Sequence, residues 1–184
     1  MTNPLHEHHG EQGDRPCMSR RQFLLAGGAL VALTAVPGMV LGAAMKAVQA
    51  SYPRQKVGRL SKLKPGNPLT FNYPFPDVSN ILVKLGAPAG GGIGPAQDVV
   101  AFNQQCTHMG GPLSGTYKAD HQILGPCPMH LTTFDLTKHG MVITGHATES
   151  LPQILLELQG DDIYAVGVMG LIYGYADNTL GRGA

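Results

Sequence analysis

Cys106-Thr107-His108-Met109-Gly110-Gly111-Pro112-Leu113 and Cys127-Pro128-Met129-His130-Leu131-Thr132-Thr133-Phe134-Asp135 are the two stretches that decide how this chain is read. Each offers one thiolate and one imidazole from a tight turn, and eighteen residues separate His108 from Cys127. Two soft, anionic thiolates suit a ferric ion bridged by sulfide. Two neutral imidazoles on a second iron remove two negative charges relative to four cysteines and favour the reduced state, with potentials of about −150 to +300 mV. The mixed set Cys106, His108, Cys127 and His130 therefore points to a [2Fe–2S] cluster. Structural zinc is the chemical competitor, and a Cys106–Cys127 disulfide is a third use of the same thiols. Zinc-finger spacing normally pairs cysteine with cysteine, whereas here each pair is mixed. Gly110, Gly111, Pro112, Gly125 and Pro126 flank the donors, as suits loops folded closely over an inorganic core.

Outward from these loops, no long stretch beyond Ser51 repeats with a helical period. Short apolar or alternating runs are separated by Gly, Pro, Asn and Asp, which is the pattern of strands and turns. The runs Leu69–Tyr73, Ile81–Leu85, Val99–Asn103, Gln122–Leu124, Thr133–Leu136, Met141–Thr144, Ile154–Leu158 and Ile163–Met169 are the expected strands. Their spacing predicts an all-β fold, an antiparallel sandwich or small barrel. The glycine-rich segment 86–94 lacks the Gly-Lys-Ser/Thr ending of a phosphate-binding loop and reads as a long hairpin loop whose flexibility could serve a subunit contact.

At the other end, Ser19-Arg20-Arg21-Gln22-Phe23-Leu24 precedes an apolar stretch running to about Ala44. Paired arginines directly before such a run read as a twin-arginine export signal, expected as an N-terminal helix. That route carries proteins already folded, which suits a chain that receives its metal before export. Val48-Gln49-Ala50 offers a small-residue cleavage site before Ser51, and an uncleaved leader would serve as a membrane anchor. The expected organisation is a leader over residues 1–50 and one domain over 51–184.

Composition excludes more than it selects. The chain has 184 residues, 43% hydrophobic and 14% charged, with 25 glycines, 14 prolines and no tryptophan, which argues for a compact, loop-rich domain. Beyond Ala50, nine Lys and Arg face nine Asp and Glu, so no basic stripe supports nucleic-acid binding. Three cysteines, one of them Cys17 in the leader, are too few for a disulfide scaffold. His121, His139 and His146 read as exposed loop histidines rather than ligands.

The two quoted stretches resemble the cluster-binding loops of Rieske proteins. The resemblance implies a three-sheet antiparallel β fold with the cluster at the tip of two loops. Cys106 and Cys127 would hold the inner iron, and His108 and His130 the outer one. High-potential members carry a second cysteine in each loop, joined as a disulfide; those positions here hold Gly111 and Met129. The family's serine and tyrosine donors near the cluster correspond to Thr132, which can donate to a sulfur, and Phe134, which cannot. Fewer donors lower the potential, so the middle or lower part of the Rieske range is expected. The uncoordinated imidazole nitrogens should lose protons more readily in the oxidised state, lowering the potential at alkaline pH. Leu151-Pro152 matches a proline-containing loop that covers the cluster in this family, and a plain strand-entry turn would look the same.

Residues 145–154 and 160–175 are similar to the small subunit of arsenite oxidase beyond the shared loops. That likeness implies a periplasmic heterodimer with a large molybdopterin-containing catalytic subunit. The small subunit would pass electrons singly to a cytochrome c or a copper protein, and arsenite would be oxidised on the partner. The alternatives are the Rieske subunit of a quinol-oxidising cytochrome complex and a zinc-stabilised exported binding module.

Overall fold

The computed structural model describes residues 52–181. The leader, its expected signal helix and its cleavage site lie outside these residues. Ten strands form: β1 (Gln55–Arg59), β2 (Leu69–Asn72), β3 (Ser79–Lys84), β4 (Val99–Asn103), β5 (Tyr117–Lys118), β6 (Ile123–Leu124), β7 (Thr133–Asp135), β8 (Met141–Thr144), β9 (Gln153–Gln159) and β10 (Asp162–Met169). The sequence anticipates eight of them. It misses β1, whose polar QKVGR run is mostly exposed at a sheet edge, and the two-residue β5.

Every pairing is antiparallel, and the strands form two sheets rather than the three that the resemblance implied. The six-stranded sheet runs β1-β10-β9-β4-β3-β2, and the four-stranded sheet runs β5-β6-β7-β8. The reason is β9, which pairs with β10 along its length and also with β4 through Ala101↔Ile154 and Phe102↔Gln153. That double pairing joins two groups of strands into one sheet.

Strand alternation sends β3 and β4 into two cores at once. Ile81, Val83, Val100 and Phe102 face a core shared with the smaller sheet, where Leu113, Leu124, Phe134 and Leu136 are buried. Leu82, Val99 and Ala101 face a second core with Tyr73, Ile154, Ile163 and Ile172. All five residues of β4 are buried, so this strand has no solvent face. Three residues after it comes Cys106. The long 86–94 loop is tied down: Gly90 N–H donates to Thr137 O at 2.9 Å, and Gln153 Nε2 donates to Gly90 O at 2.9 Å. The expected hairpin loop is therefore packed between the β7–β8 turn and β9, because its glycines allow backbone to approach side chains closely.

Candidate metal centre

The two loops have the same backbone wiring. In the first, Cys106 N–H donates to Gly111 O and Gly110 N–H donates to Cys106 O, both at 2.8 Å. In the second, Cys127 N–H donates to Thr132 O at 2.8 Å and Leu131 N–H donates to Cys127 O at 2.9 Å. Each loop is a five-residue knuckle starting at a cysteine, and each turns through a left-handed residue four positions on, Gly110 at φ 69° and Leu131 at φ 63°. Glycine adopts that conformation freely; leucine does so at a steric cost. The second knuckle follows a cis Gly125–Pro126 bond.

These knuckles bring all four predicted donors to one end of the domain. Cys106 and Cys127 are each 1% exposed, both free thiols, in the core between the sheets. Their sulfurs are neighbours. Burial pushes the Cys106 thiol pKa up, as does the sulfur of Cys127, while the His108 N–H and the Thr132 hydroxyl favour its thiolate. His108 and His130 lie outward of them, half-buried, with ring centroids 4.7 Å apart and planes nearly perpendicular at 87°. The loops meet closely. A β-carbon built on Gly111 would stand 2.7 Å from Cys127 Sγ and 2.9 Å from Met129 Sδ. The Met129 thioether thus lies against Gly111, so the two positions at which the resemblance would place a disulfide touch here without a covalent link.

This arrangement fits a two-iron cluster. His108 Nδ1 is buried without a hydrogen-bond partner, so one ring nitrogen is withdrawn from solvent and left available as a donor atom. Desolvation, followed by the proximity of His130 and His146, lowers the His108 pKa and favours the neutral imidazole that ligation requires. A binuclear cluster needs only two protein donors per iron, whereas tetrahedral zinc needs its donors around one point. Among the described residues, no group of three or more His, Cys, Asp or Glu is placed to hold a single metal ion.

Thr132 and Phe134 are both fully buried beside the knuckles. The Thr132 hydroxyl faces the Cys106 sulfur and accepts the His146 N–H at 3.1 Å, while Phe134 packs in the same core with no polar atom to offer. His146 is exposed as expected, yet its ring centroid is 5.6 Å from that of His108 and 6.3 Å from that of His130. Sequence distance hid this third surface histidine; β8 returns the chain to the knuckles only in three dimensions. His121 is exposed on the short turn after β5, and His139 shares a 2.8 Å hydrogen bond with Gln153, so neither joins the site. Leu151 and Pro152 are buried: Leu151 packs in the inter-sheet core, and Pro152 O accepts the Asn103 N–H. Leu151 shares that core with Cys106 and Cys127, and the residues just before it border the first knuckle, with Thr107 Oγ1 donating to Glu149 O at 2.8 Å. Around the four donors, Met109, Met129 and Leu131 are 52%, 51% and 66% exposed. Neither 106–113 nor 127–134 contains an Asp, Glu, Lys or Arg.

Residues 54–155 match the family model for the Rieske [2Fe–2S] domain, and residues 17–37 match the twin-arginine translocation signal. The chain is 71% identical to the iodate reductase subunit IdrB of Denitromonas iodatirespirans, over 98% of this chain and 99% of that one. It is 67% identical to the IdrB subunit of Pseudomonas sp. (strain SCT), over 94% of this chain and 90% of that one. Among solved structures, the soluble domain of Rieske protein II (soxF) from Sulfolobus acidocaldarius superposes with a TM-score of 0.57 at 26% identity, covering 64% of this chain and 78% of that one. Fold, loops and sequence agree, and this chain belongs to the Rieske [2Fe–2S] proteins, which bind one such cluster.

Proposed function

We propose that this chain is the electron-transfer subunit of an exported iodate reductase, with Cys106 and Cys127 as ligands of the inner iron and His108 and His130 as ligands of the outer one. The observation that carries the substrate is the end-to-end likeness to two iodate reductase subunits. It outweighs the partial likeness of residues 145–154 and 160–175 to an arsenite oxidase. The unpartnered His108 Nδ1 and the paired buried thiols support the ligand set. When bound, the cluster supplies one-electron redox chemistry. The chain's own residues keep water from the thiolates and present the histidines to partners at a tip whose two knuckles are apolar and carry no charged side chain. On this reading, iodate is reduced on a large molybdopterin-containing subunit, and a cytochrome c or copper protein is the donor. Electrons then run towards the catalytic subunit, opposite to their direction in an arsenite oxidase. The chain acts after export, and any membrane contact comes from a retained leader.

The direction of flow is the test. The purified complex, its cluster reduced with limiting dithionite, should lose the reduced-state paramagnetic signal when iodate is added. Arsenite reducing the oxidised cluster instead would establish the arsenite reading.

Two further results are expected. Because the tip carries no charged side chain on either knuckle, electron transfer across it should change less than about threefold between low and physiological salt, against the 10–10³-fold effects of electrostatic steering. Stopped-flow rates at several ionic strengths check this. Thr132→Val removes the hydroxyl facing Cys106, which stabilises the more negative reduced state. If that bond strengthens by about 1–2 kcal/mol on reduction, the midpoint potential falls by about 40–90 mV. Thr132→Ser should retain most of the parent value in a redox titration.

A further inference from the structure

Beyond residue 155, where the match to the Rieske domain ends, the chain makes β10 and then a loop that returns to the first knuckle. Residues 170–180 contain no strand, yet they are firmly pinned. Asn178, only 6% exposed, accepts the Ile172 N–H at 2.9 Å and donates to Gly170 O at 2.7 Å, which closes the segment into a ring. Ile172 is fully buried in the second core. Tyr175 stacks on Phe75 with centroids 5.7 Å apart and planes within 5°, and its hydroxyl donates to the Asp77 carboxylate at 3.2 Å. Between these two anchors stands Tyr173, which is 40% exposed. Its ring lies on the bare face of Gly110: a β-carbon there would be 2.6 Å from Tyr173 Cδ1 and 2.7 Å from Cε1. A cleft of about 220 Å³ between this segment and Thr107 and Glu149 shows the two facing each other.

Gly110 is the left-handed residue whose N–H closes the first knuckle on Cys106 O. No disulfide ties the knuckles, since Cys106 and Cys127 are free and the neighbouring positions are Gly111 and Met129. We infer that segment 170–180 is a strap and that Tyr173 is a positioning residue, holding the knuckle of Cys106 and His108 in its metal-binding shape by packing on Gly110. This deepens the proposed function and rests on its ligand assignment. The aromatic ring suits the role because it covers the glycine backbone over a wide area while a buried Asn fixes the segment's shape. The half-exposed position of Tyr173 also means that its removal leaves both cores intact.

The test uses the full chain with its cluster, as wild type, Tyr173→Ala and Tyr173→Phe. The readouts are the reduced-state paramagnetic spectrum, the midpoint potential and the rate at which cluster absorbance is lost to an iron chelator. Tyr173→Ala should lose its cluster about tenfold faster, the size set by removing one packed aromatic contact, with shifted or broadened spectral features and an unchanged melting curve for the apo chain. Tyr173→Phe should behave as wild type. Wild-type behaviour of Tyr173→Ala, or loss of the effect's dependence on the ring because Tyr173→Phe matches Tyr173→Ala, overturns the strap's role. A wild-type chain without a Rieske spectrum overturns the ligand assignment and the strap's role with it, so the two failures are told apart.

Discussion

Cys127→Ser should yield a folded chain with no iron, no inorganic sulfide and no reduced-state paramagnetic signal. Serine is nearly isosteric but remains a protonated hydroxyl, so one of the two thiolates proposed for the inner iron is lost. The knuckle itself should survive. Its closing bonds, Cys127 N–H to Thr132 O and Leu131 N–H to Cys127 O, use backbone atoms only. Cys127 is itself part of the inter-sheet core, but serine differs from it by one atom and leaves the other buried side chains there and the whole second core in place. The variant should therefore melt cooperatively, at a lower temperature than the holoprotein, because a cluster that binds only the folded chain adds its binding energy to stability. Iron and sulfide analysis beside a circular-dichroism melt separates the two effects. A wild-type signal from this variant would remove Cys127 from the ligand set.

The largest loss of stability is expected from Phe102→Ala. Phe102 is wholly buried on the strand that faces both cores, and it packs beneath Gly140, where a β-carbon would stand 3.0 Å from its ring. Truncating a buried phenylalanine costs about 3–5 kcal/mol through lost transfer energy and the cavity left behind. In a domain of this size the melting temperature should fall by about 10–20 °C. Calorimetry of the holoprotein measures it directly. A loss below about 1 kcal/mol would mean that the smaller sheet does not depend on β4 for its seat.

Much of this was legible in the sequence because two signals were strong. Alternating apolar runs between turn residues gave eight strands, Val99–Asn103 and Met141–Thr144 with their observed bounds. The mixed Cys and His pairs marked four candidate donors, and the knuckles bring these side chains together. What escaped was carried by three-dimensional return. The edge strand β1 has no apolar alternation, because its neighbour β10 supplies the buried face. His146 and Tyr173 reach the knuckles only after β8 and β10 have turned the chain back. The equivalence of the two knuckles was hidden as well, since one makes its left-handed turn with Gly110 and the other with Leu131. A backbone rule can be shared by residues that have nothing in common as letters. The substrate lay beyond physical reading altogether, because on the proposed function the iodate or arsenite chemistry resides on another subunit and would leave the same electron carrier here.

The unequal exposure of the four donors has a consequence for traffic. With both cysteines sealed against the inter-sheet core and both imidazoles at the surface, the proposed centre has a single port. On the proposed function an electron would arrive and leave by the same face, and a donor and the catalytic subunit would contend for one landing area. Turnover then alternates between them, or one partner stays seated at the rim while the other comes and goes. Excess donor should slow a complex of the first kind and leave one of the second kind unaffected.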